Sequence, residues 1–474
     1  MSLQLRKELE RAGVNLSLED AEREARSSDM FPGFAKWPRE LRHRARPELV
    51  VYPRNDREVA TVLAAASRAG IAVVTFGRGS GVTGGVISTV PHLALDTSLL
   101  AGEPELNERD LTVVVGAGAA AGEVERWLNE RGYTLGHYPQ SLHLASLGGL
   151  VATRSTGTYS GWYGGIECLV SGLDIVLSDG TPIQLRSSPR SATGPNLIEL
   201  FIGSEGTLGI ITRVQLRVSR TPEAQLLRSF GFPDLERGLE SIREIVARGL
   251  RPAVVRLYDE VETRMVAEDY GLPIEHPVLA IIGFIGTEMV VSAMDAEAIS
   301  TSRYIGSAVD LGLDIGQVWL KKRFDASWLY EGNRDELHLA DSIEVGLPWS
   351  KAHATYRRIM SRLDRVADRA WAHFSHAYPD GVGTYFVFSL ERPTRVEVST
   401  AHEEVWRIVM DETAAVGGTL SHHHGVGLAR SSYVSDYASD ATRLLVLVSQ
   451  ALDPKRILNP GKFGGGASAW LRTK

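Results

Sequence analysis

Cysteine is nearly absent: Cys168 stands alone among 474 residues. A single thiol forms no intrachain disulfide and builds no cysteine-based zinc or iron–sulfur site, which fits a reducing compartment. Long apolar runs are missing too. No stretch reaches 18 consecutive apolar residues, so no membrane-spanning helix is expected. The polar opening MSLQLRKELERAGVNLSLEDAERE lacks the apolar run of a signal peptide and the chain closes on Arg472-Thr473-Lys474, so neither a secretory leader nor a peroxisomal address is expected. Positive charge is not in excess: 51 Lys and Arg stand against 58 Asp and Glu, a net charge of −7. Nucleic-acid binders present a basic face to phosphates, so a nucleic-acid partner is not expected. These absences suggest a cytoplasmic protein; a small-molecule or lipid-like partner stays open. Peripheral contact with a membrane and a homodimer both stay open. With 43% hydrophobic and 23% charged residues the chain is an ordinary folded one, and its length allows two or three domains.

Glycine is what the chain has in excess, 47 residues concentrated between Gly70 and Gly209. After a helical lead-in at 1–44 the pattern becomes irregularly alternating strand and helix, which indicates α+β. LVVYP reads as a strand, DREVATVLAAASRAG as an amphipathic helix closed by Gly70, and IAVVTFG as a strand entering GRGSGVTGG. From Arg220-Thr221-Pro222 the texture changes to strands and helices without glycine clusters. Two domains packed on one another, with a site between them, are expected. KAHATYRRIMSRLDRVADRAWAHF reads as helical, and Trp328, Trp349 and Trp371 as helix residues.

The Gly77-Arg78-Gly79-Ser80-Gly81-Val82-Thr83-Gly84-Gly85 loop follows a strand, as a phosphate cradle does. Glycines allow positive φ and let successive N–H groups converge on an anion. The loop has no Walker lysine and no helix obviously starting after it, so a tight glycine hairpin is the competing reading.

Its context decides. Four ordered blocks, LVVYPRNDREVATVLAAASRAGIAVVTFGRGSGVTGG, PQSLHLASLGGLVATRSTGTYSGWYGG, LVSGLDIVLSDG and GSEGTLGIITRVQLRV, closely resemble the FAD-binding domain of the vanillyl-alcohol oxidase / p-cresol methylhydroxylase (VAO/PCMH) flavoprotein superfamily. The resemblance implies a two-subdomain PCMH/VAO-type FAD-binding domain at 45–220 and an α+β cap domain with an antiparallel sheet at 221–425. A C-terminal segment at 426–474 would pack back near the FAD site. It places the pyrophosphate on Gly77, Arg78, Gly79, Ser80, Gly81 and Val82. Pro139, Ser141, Ser146, Gly148, Gly149, Thr153, Ser155 and Gly157 would line the cofactor, with Glu205 and Ile211 near its edges. No histidine or cysteine lies between Gly77 and Val90, so the FAD is expected to be non-covalent.

The second half must say which reaction the flavin serves. Thr419-Leu420-Ser421-His422-His423-His424-Gly425-Val426-Gly427 places three histidines in series. Adjacent histidines point in different directions and chelate poorly, so no metal is expected; proton transfer or anion recognition suits them better. Tyr385 lies on an apolar strand where a buried hydroxyl needs a partner. Arg256 in AVVRLYD either pairs with a carboxylate such as Asp259 or awaits an anion. SHHHGVG at 421–427, the HxYPxGxxxYF pattern at 376–386 and VVRLYD at 254–259 resemble the alkylglycerone-phosphate synthase family. That resemblance implies exchange of the acyl group of acyl-dihydroxyacetone phosphate for a long-chain alcohol, through a flavin N5 adduct and without net redox. Tyr385, His422, His423 and His424 would handle protons, and Arg256 and Arg334 would bind phosphate. The competing reading is an FAD-dependent oxidoreductase of a 2-hydroxy acid or alcohol. Metal-assisted members of that class carry a Gly-Glu-His-Gly turn and a paired-histidine motif that this chain lacks.

Overall fold

The computed structural model describes residues 3–186, 189–272, 274–325 and 327–463. The chain divides into two units. Unit 1 comprises Met1–Thr156, Gly165–Arg220 and His423–Lys474; unit 2 comprises Gly157–Gly164 and Thr221–His422. Residues 464–474, which hold the Arg-Thr-Lys end, lie outside the described residues.

In unit 1, Asn55 caps the helix Asp56–Ala69 by accepting from the Glu58 amide, and Gly70 ends it in the left-handed conformation at φ 66°. The apolar face of this helix (Val59, Val62, Leu63, Ala66) packs on the strands Leu49–Tyr52 and Ala72–Phe76 in one core, with Leu5 and Leu9 of the first helix. The sheet beneath runs Asn15–Ser17, Leu49–Tyr52, His92–Asp96, Ala72–Phe76. The expectation of a purely helical lead-in is therefore corrected: Asn15–Ser17 is a strand, antiparallel to Leu49–Tyr52. At the other edge Val73 N–H donates to the Ile457 carbonyl at 2.7 Å and Asn459 N–H to the Val73 carbonyl at 2.9 Å. The C-terminal residues thus satisfy an edge that would otherwise be open. A second sheet of unit 1 runs Glu105–Asn107, Thr112–Gly116, Ile210–Arg217, Val170–Val176, Pro182–Arg186. The glycine-rich stretch after Thr134 contains the short helix Leu147–Ala152.

Unit 2 is built on one antiparallel sheet in the order Val309–Gly312, Ala224–Phe232, Val278–Gly286, Val254–Tyr258, Arg369–Ala377, Gly381–Glu391, His338–Pro348. Here a second expectation fails. The helix Trp349–Leu363 stops before Asp364, and RAWAHFSHA is a strand, so Trp371 is a strand residue. Its neighbours Val254–Tyr258 and Gly381–Glu391 supply the ladder that local helical pattern could not anticipate. Among the described residues no helix is long and apolar enough to cross a membrane.

Candidate active site

Unit 1 carries the glycine loop. Pairing with His92–Asp96 ends at Phe76, whose carbonyl accepts from the Thr97 amide at 3.0 Å, and the chain then turns. Gly79 has φ 69°, and a Cβ there would lie 2.9 Å from Phe76 Cζ, so any other side chain is strained and must push the Phe76 ring. Among the described residues the amides of Gly79, Ser80, Gly81 and Val82 have no protein acceptor. A row of unclaimed N–H groups at one turn is a ready anion cradle.

The loop is fastened through its other groups. Gly81 O accepts from the Met30 amide at 2.8 Å, and Gly85 N–H donates to Asp29 Oδ2 at 2.9 Å. Asn459 Nδ2 donates to Gly85 O at 3.0 Å and to Glu205 O at 2.7 Å, and Lys462 Nζ donates to Ile87 O at 2.8 Å. Leu428 and Ala429 amides reach Thr83 O, and Thr83 Oγ1 donates to the His424 carbonyl at 3.3 Å. Glu205, itself at φ 50°, accepts from the amides of Val426 and Gly427. Burial raises Asp29 to about 7 against the pull of the Phe31 and Gly85 amides, and lowers Lys462 to about 8. Burial also raises Glu205, while the Val426 and Gly427 amides oppose it. Asp29, Asn459 and Lys462 were missed in sequence: each is a single polar residue with no motif around it, far along the chain from the loop it holds.

The other residues expected to line the cofactor are placed as follows. A Cβ on Gly77 would lie 2.5 Å from Ser146 Oγ, which accepts from Gly149 N–H at 3.3 Å as cap of the helix Leu147–Ala152. Gly148 sits against Ala117, its N–H donating to the Ala117 carbonyl at 2.8 Å. Thr153 Oγ1 donates to Gly149 O at 3.0 Å. Pro139 and Ser141 supply the carbonyls of the turn leading to Ser146, and exposed Arg78 ties the glycine loop to that turn through Leu144 O at 3.0 Å. Ser155 Oγ meets His137 Nε2 at 3.1 Å, and Ile211 is a buried sheet residue opposite Ile175. Gly157 does not join this group; it opens the 157–164 segment of unit 2.

Unit 2 carries a polar cluster on its sheet. Tyr258, His373, Tyr385 and Glu344 are successive register partners across four strands, and Arg256, Ser375, Gly383 and Gly346 form the row two residues along. A step of two keeps side chains on one face, so both rows share it. Tyr385 stacks on His373 with centroids 4.6 Å apart, and His373 Nδ1 is 2.9 Å from Glu262. The Arg256 guanidinium lies 6.0 Å from the Tyr385 ring centre and 5.9 Å from that of Trp319. Burial pushes the Tyr385 phenol well above its usual range, with Arg256 opposing.

Asp259, the carboxylate named in sequence as a candidate partner of Arg256, is engaged elsewhere. That carboxylate caps the helix Glu260–Tyr270 through the Glu262 amide and also accepts from the Ala372 amide and the Tyr356 hydroxyl. Among the described residues no carboxylate forms an ion pair with Arg256. Arg334 is not part of the cluster: it is exposed, with Glu331 O and Asp335 as its contacts.

The histidine run divides between the units. His422 belongs to unit 2, where its Nε2 lies 2.8 Å from the Tyr378 hydroxyl and its N–H donates to Glu344, whose other oxygen accepts from Ser421 Oγ at 3.1 Å. Burial lowers the His422 imidazole, with Glu344 opposing. In unit 1, His423 and His424 meet edge to face at 4.6 Å. His376, the first residue of the HxYPxGxxxYF pattern but given no role in sequence, and Ser160 also join the unit 2 cluster. Ser160 Oγ is 2.9 Å from His376 Nδ1, and His376 Nε2 is 3.4 Å from the Tyr385 hydroxyl.

Comparison with known proteins adds to this geometry. Residues 221–463 match the family of FAD linked oxidases, C-terminal domain, and residues 47–186 match an FAD binding domain family. The chain is 27% identical over 449 residues to an alkyldihydroxyacetonephosphate synthase of Dictyostelium discoideum, covering 88% of this chain and 73% of the relative. It is 30% identical over 404 residues to the uncharacterized FAD-linked oxidoreductase YgcU of Escherichia coli (strain K12), covering 81% and 82%. A mitochondrial D-lactate dehydrogenase [cytochrome] of Arabidopsis thaliana is 27% identical over 430 residues, covering 88% and 73%. Among solved structures, an alkyldihydroxyacetonephosphate synthase superposes with TM-score 0.78 at 23% identity, covering 97% of this chain and 85% of the other; the likeness is one of fold.

Proposed function

This chain belongs to the FAD-linked oxidases and uses FAD as its cofactor, and from that premise we propose that it works as an alkylglycerone-phosphate synthase does. It would exchange the acyl group of acyl-dihydroxyacetone phosphate for a long-chain alcohol without net redox. The supporting observation is Arg256: a guanidinium with no carboxylate partner among the described residues, on the same sheet face as a buried phenol and beside imidazoles, an arrangement that suits a phosphorylated substrate undergoing proton transfer.

In this reading the unclaimed amides of Gly79–Val82 hold the pyrophosphate of a non-covalent FAD. The turn from Pro139 to Gly149 lines it. Bound FAD supplies the N5 position at which such chemistry takes place. Arg256 orients the substrate phosphate, and Tyr385 holds or releases the proton at the substrate carbon. His422, with its imidazole on Tyr378, and its neighbours His423 and His424 serve the proton of the leaving or entering oxygen. Arg334 has no part in it.

A second reading, oxidation of a 2-hydroxy acid or alcohol, is favoured by the relative at 30% identity, which is named an oxidoreductase. One experiment separates the two. The holoenzyme is mixed anaerobically with acyl-dihydroxyacetone phosphate and a fatty alcohol, and separately with D-lactate or glycolate. An ether product formed without an electron acceptor supports alkyl transfer. Bleaching of the flavin by a hydroxy acid, with no ether formed, overturns it in favour of oxidation.

A further inference from the structure

His376 occupies a position that sheet packing does not call for. The ladder between Arg369–Ala377 and Gly381–Glu391 shifts register between Ser375 and Ala377, and the extra residue is His376, with φ 58°. A bulge of this kind re-aims a side chain, and a non-glycine residue at positive φ persists only where its surroundings hold it. The surroundings here are specific. The His376 ring lies over His422 with centroids 5.2 Å apart and planes 17° from parallel. Gly383 packs beneath them: a Cβ there would lie 2.8 Å from the Ser375 carbonyl oxygen and in ordinary contact, 3.6 Å, with His376 Cβ and His422 Cδ2. Ser160 arrives on the 157–164 segment, seated so closely that a Cβ on Gly161 would lie 2.1 Å from the Pro252 carbonyl oxygen.

We infer that His376 is the proton partner of Tyr385, positioned by Ser160. The neutral ring with its proton on Nδ1 donates to Ser160 Oγ at 2.9 Å and presents Nε2 to the Tyr385 hydroxyl at 3.4 Å. A proton released by the Tyr385 hydroxyl passes to His376 Nε2, giving an imidazolium and a phenolate, and it returns by the same route. Arg256, facing the ring from Val254–Tyr258, stabilises the phenolate. Glu344 from His338–Pro348, His373 with Glu262, and the Tyr378–His422 pair are the other ionisable groups around it. His376 is a positioning residue: it acts through Tyr385 and is not assigned a contact with substrate. The HxYPxGxxxYF motif contains it but gave it no role, because the bulge that turns it toward Tyr385 exists only in the paired sheet.

The inference rests on Tyr385 handling a proton in the proposed reaction, and a double-mutant cycle tests it on whichever activity the holoenzyme shows, ether formation or hydroxy-acid oxidation. His376→Ala and Tyr385→Phe are each expected to lower kcat about 100-fold or more, with FAD still bound. The double variant is expected to be no slower than Tyr385→Phe alone within about threefold, because a relay already cut loses nothing further. Ser160→Ala is expected to lower kcat less and to shift its pH profile, with KM unchanged. Losses that multiply in the double variant would overturn the inference. A measurement free of turnover runs beside it: the Hε1 resonance of His376 in the 13C-histidine-labelled holoenzyme, assigned by its loss in His376→Ala. Its titration midpoint is expected to move in Tyr385→Phe and in Ser160→Ala; an unmoved midpoint in both would also overturn the inference. Failure of ether formation with a non-additive cycle on hydroxy-acid oxidation removes the alkyl-transfer reading and leaves the relay in place.

Discussion

Asp259 follows Arg256 by three residues and does not pair with it; its carboxylate takes the Glu262 amide at 2.8 Å, the Ala372 amide at 2.7 Å and the Tyr356 hydroxyl at 3.1 Å. Two neighbours therefore carry separable duties. Asp259→Ala removes a helix cap and strands the buried Ala372 amide, at a cost of about 2–4 kcal/mol in stability. Arg256→Met, which breaks no ion pair among the described residues, is expected to leave stability within about 1 kcal/mol and to weaken binding of the phosphorylated substrate at least tenfold. Thermal melts and KM measured side by side check both; an Arg256→Met protein with unchanged KM would remove the anion role.

Gly79 tests the cradle. Alanine there carries a side chain at φ 69° and meets the Phe76 ring. The loop must shift, and with it the amides from Gly79 to Val82. FAD affinity is expected to fall about tenfold or more, equivalent to about 1.4 kcal/mol, with the far-ultraviolet circular dichroism unchanged. Titration of the apoprotein with FAD gives the number. Wild-type affinity in Gly79→Ala would place the pyrophosphate elsewhere.

His137 should make the protein acid-sensitive. Burial lowers its pKa from 6.5 to about 4. The unfolded chain then takes up the proton first as pH falls. Stability from this group is complete above about 6.5 and is lost between there and about 4, up to about 3 kcal/mol. Asp29 works the other way: with its folded value raised to about 7, its protonation favours the folded state as pH drops below 7. The difference between wild type and His137→Gln isolates the histidine. The variant's melting temperature is expected to decline less steeply from pH 6.5 to 4.5. Parallel curves would mean that His137 stays accessible to protons in the fold.

Gly161 gauges how far the Ser160 segment must be held. A Cβ 2.1 Å from the Pro252 carbonyl oxygen forces the 157–164 segment away. Gly161→Ala is expected to lower kcat at least as much as Ser160→Ala, because it moves the hydroxyl and the backbone together. Activity above that of Ser160→Ala would show that the segment adapts without losing the His376 contact.

Much of unit 1 was legible because its signals are local. The helix from Asp56 shows its cap, its apolar period and its closing glycine, and IAVVTFG alternates into a glycine turn whatever surrounds it. RVADRAWAHF misled for the same reason. Its local pattern suits a helix, and the partners that make it a strand lie over a hundred residues earlier at Val254–Tyr258 and on the next strand, Gly381–Glu391. The Tyr385 cluster was half legible: Arg256, Tyr385 and His422 stood out as polar residues in apolar or motif-rich settings, His376 lay in a motif without a role, and Ser160 and Glu344 did not stand out.

The order of residues alone carried the glycine turn and the periodicities of most strands and helices, which depend on neighbours within a few positions, and, through four ordered blocks, the resemblance to an FAD-binding family. The folded chain was needed to show that Asp259 is engaged by backbone amides, that the 157–164 segment belongs with the second unit, and that Asp29 and Lys462 fasten the glycine loop. Those are contacts between residues tens to hundreds of positions apart, and burial and hydrogen-bond geometry select them once the sheets have formed.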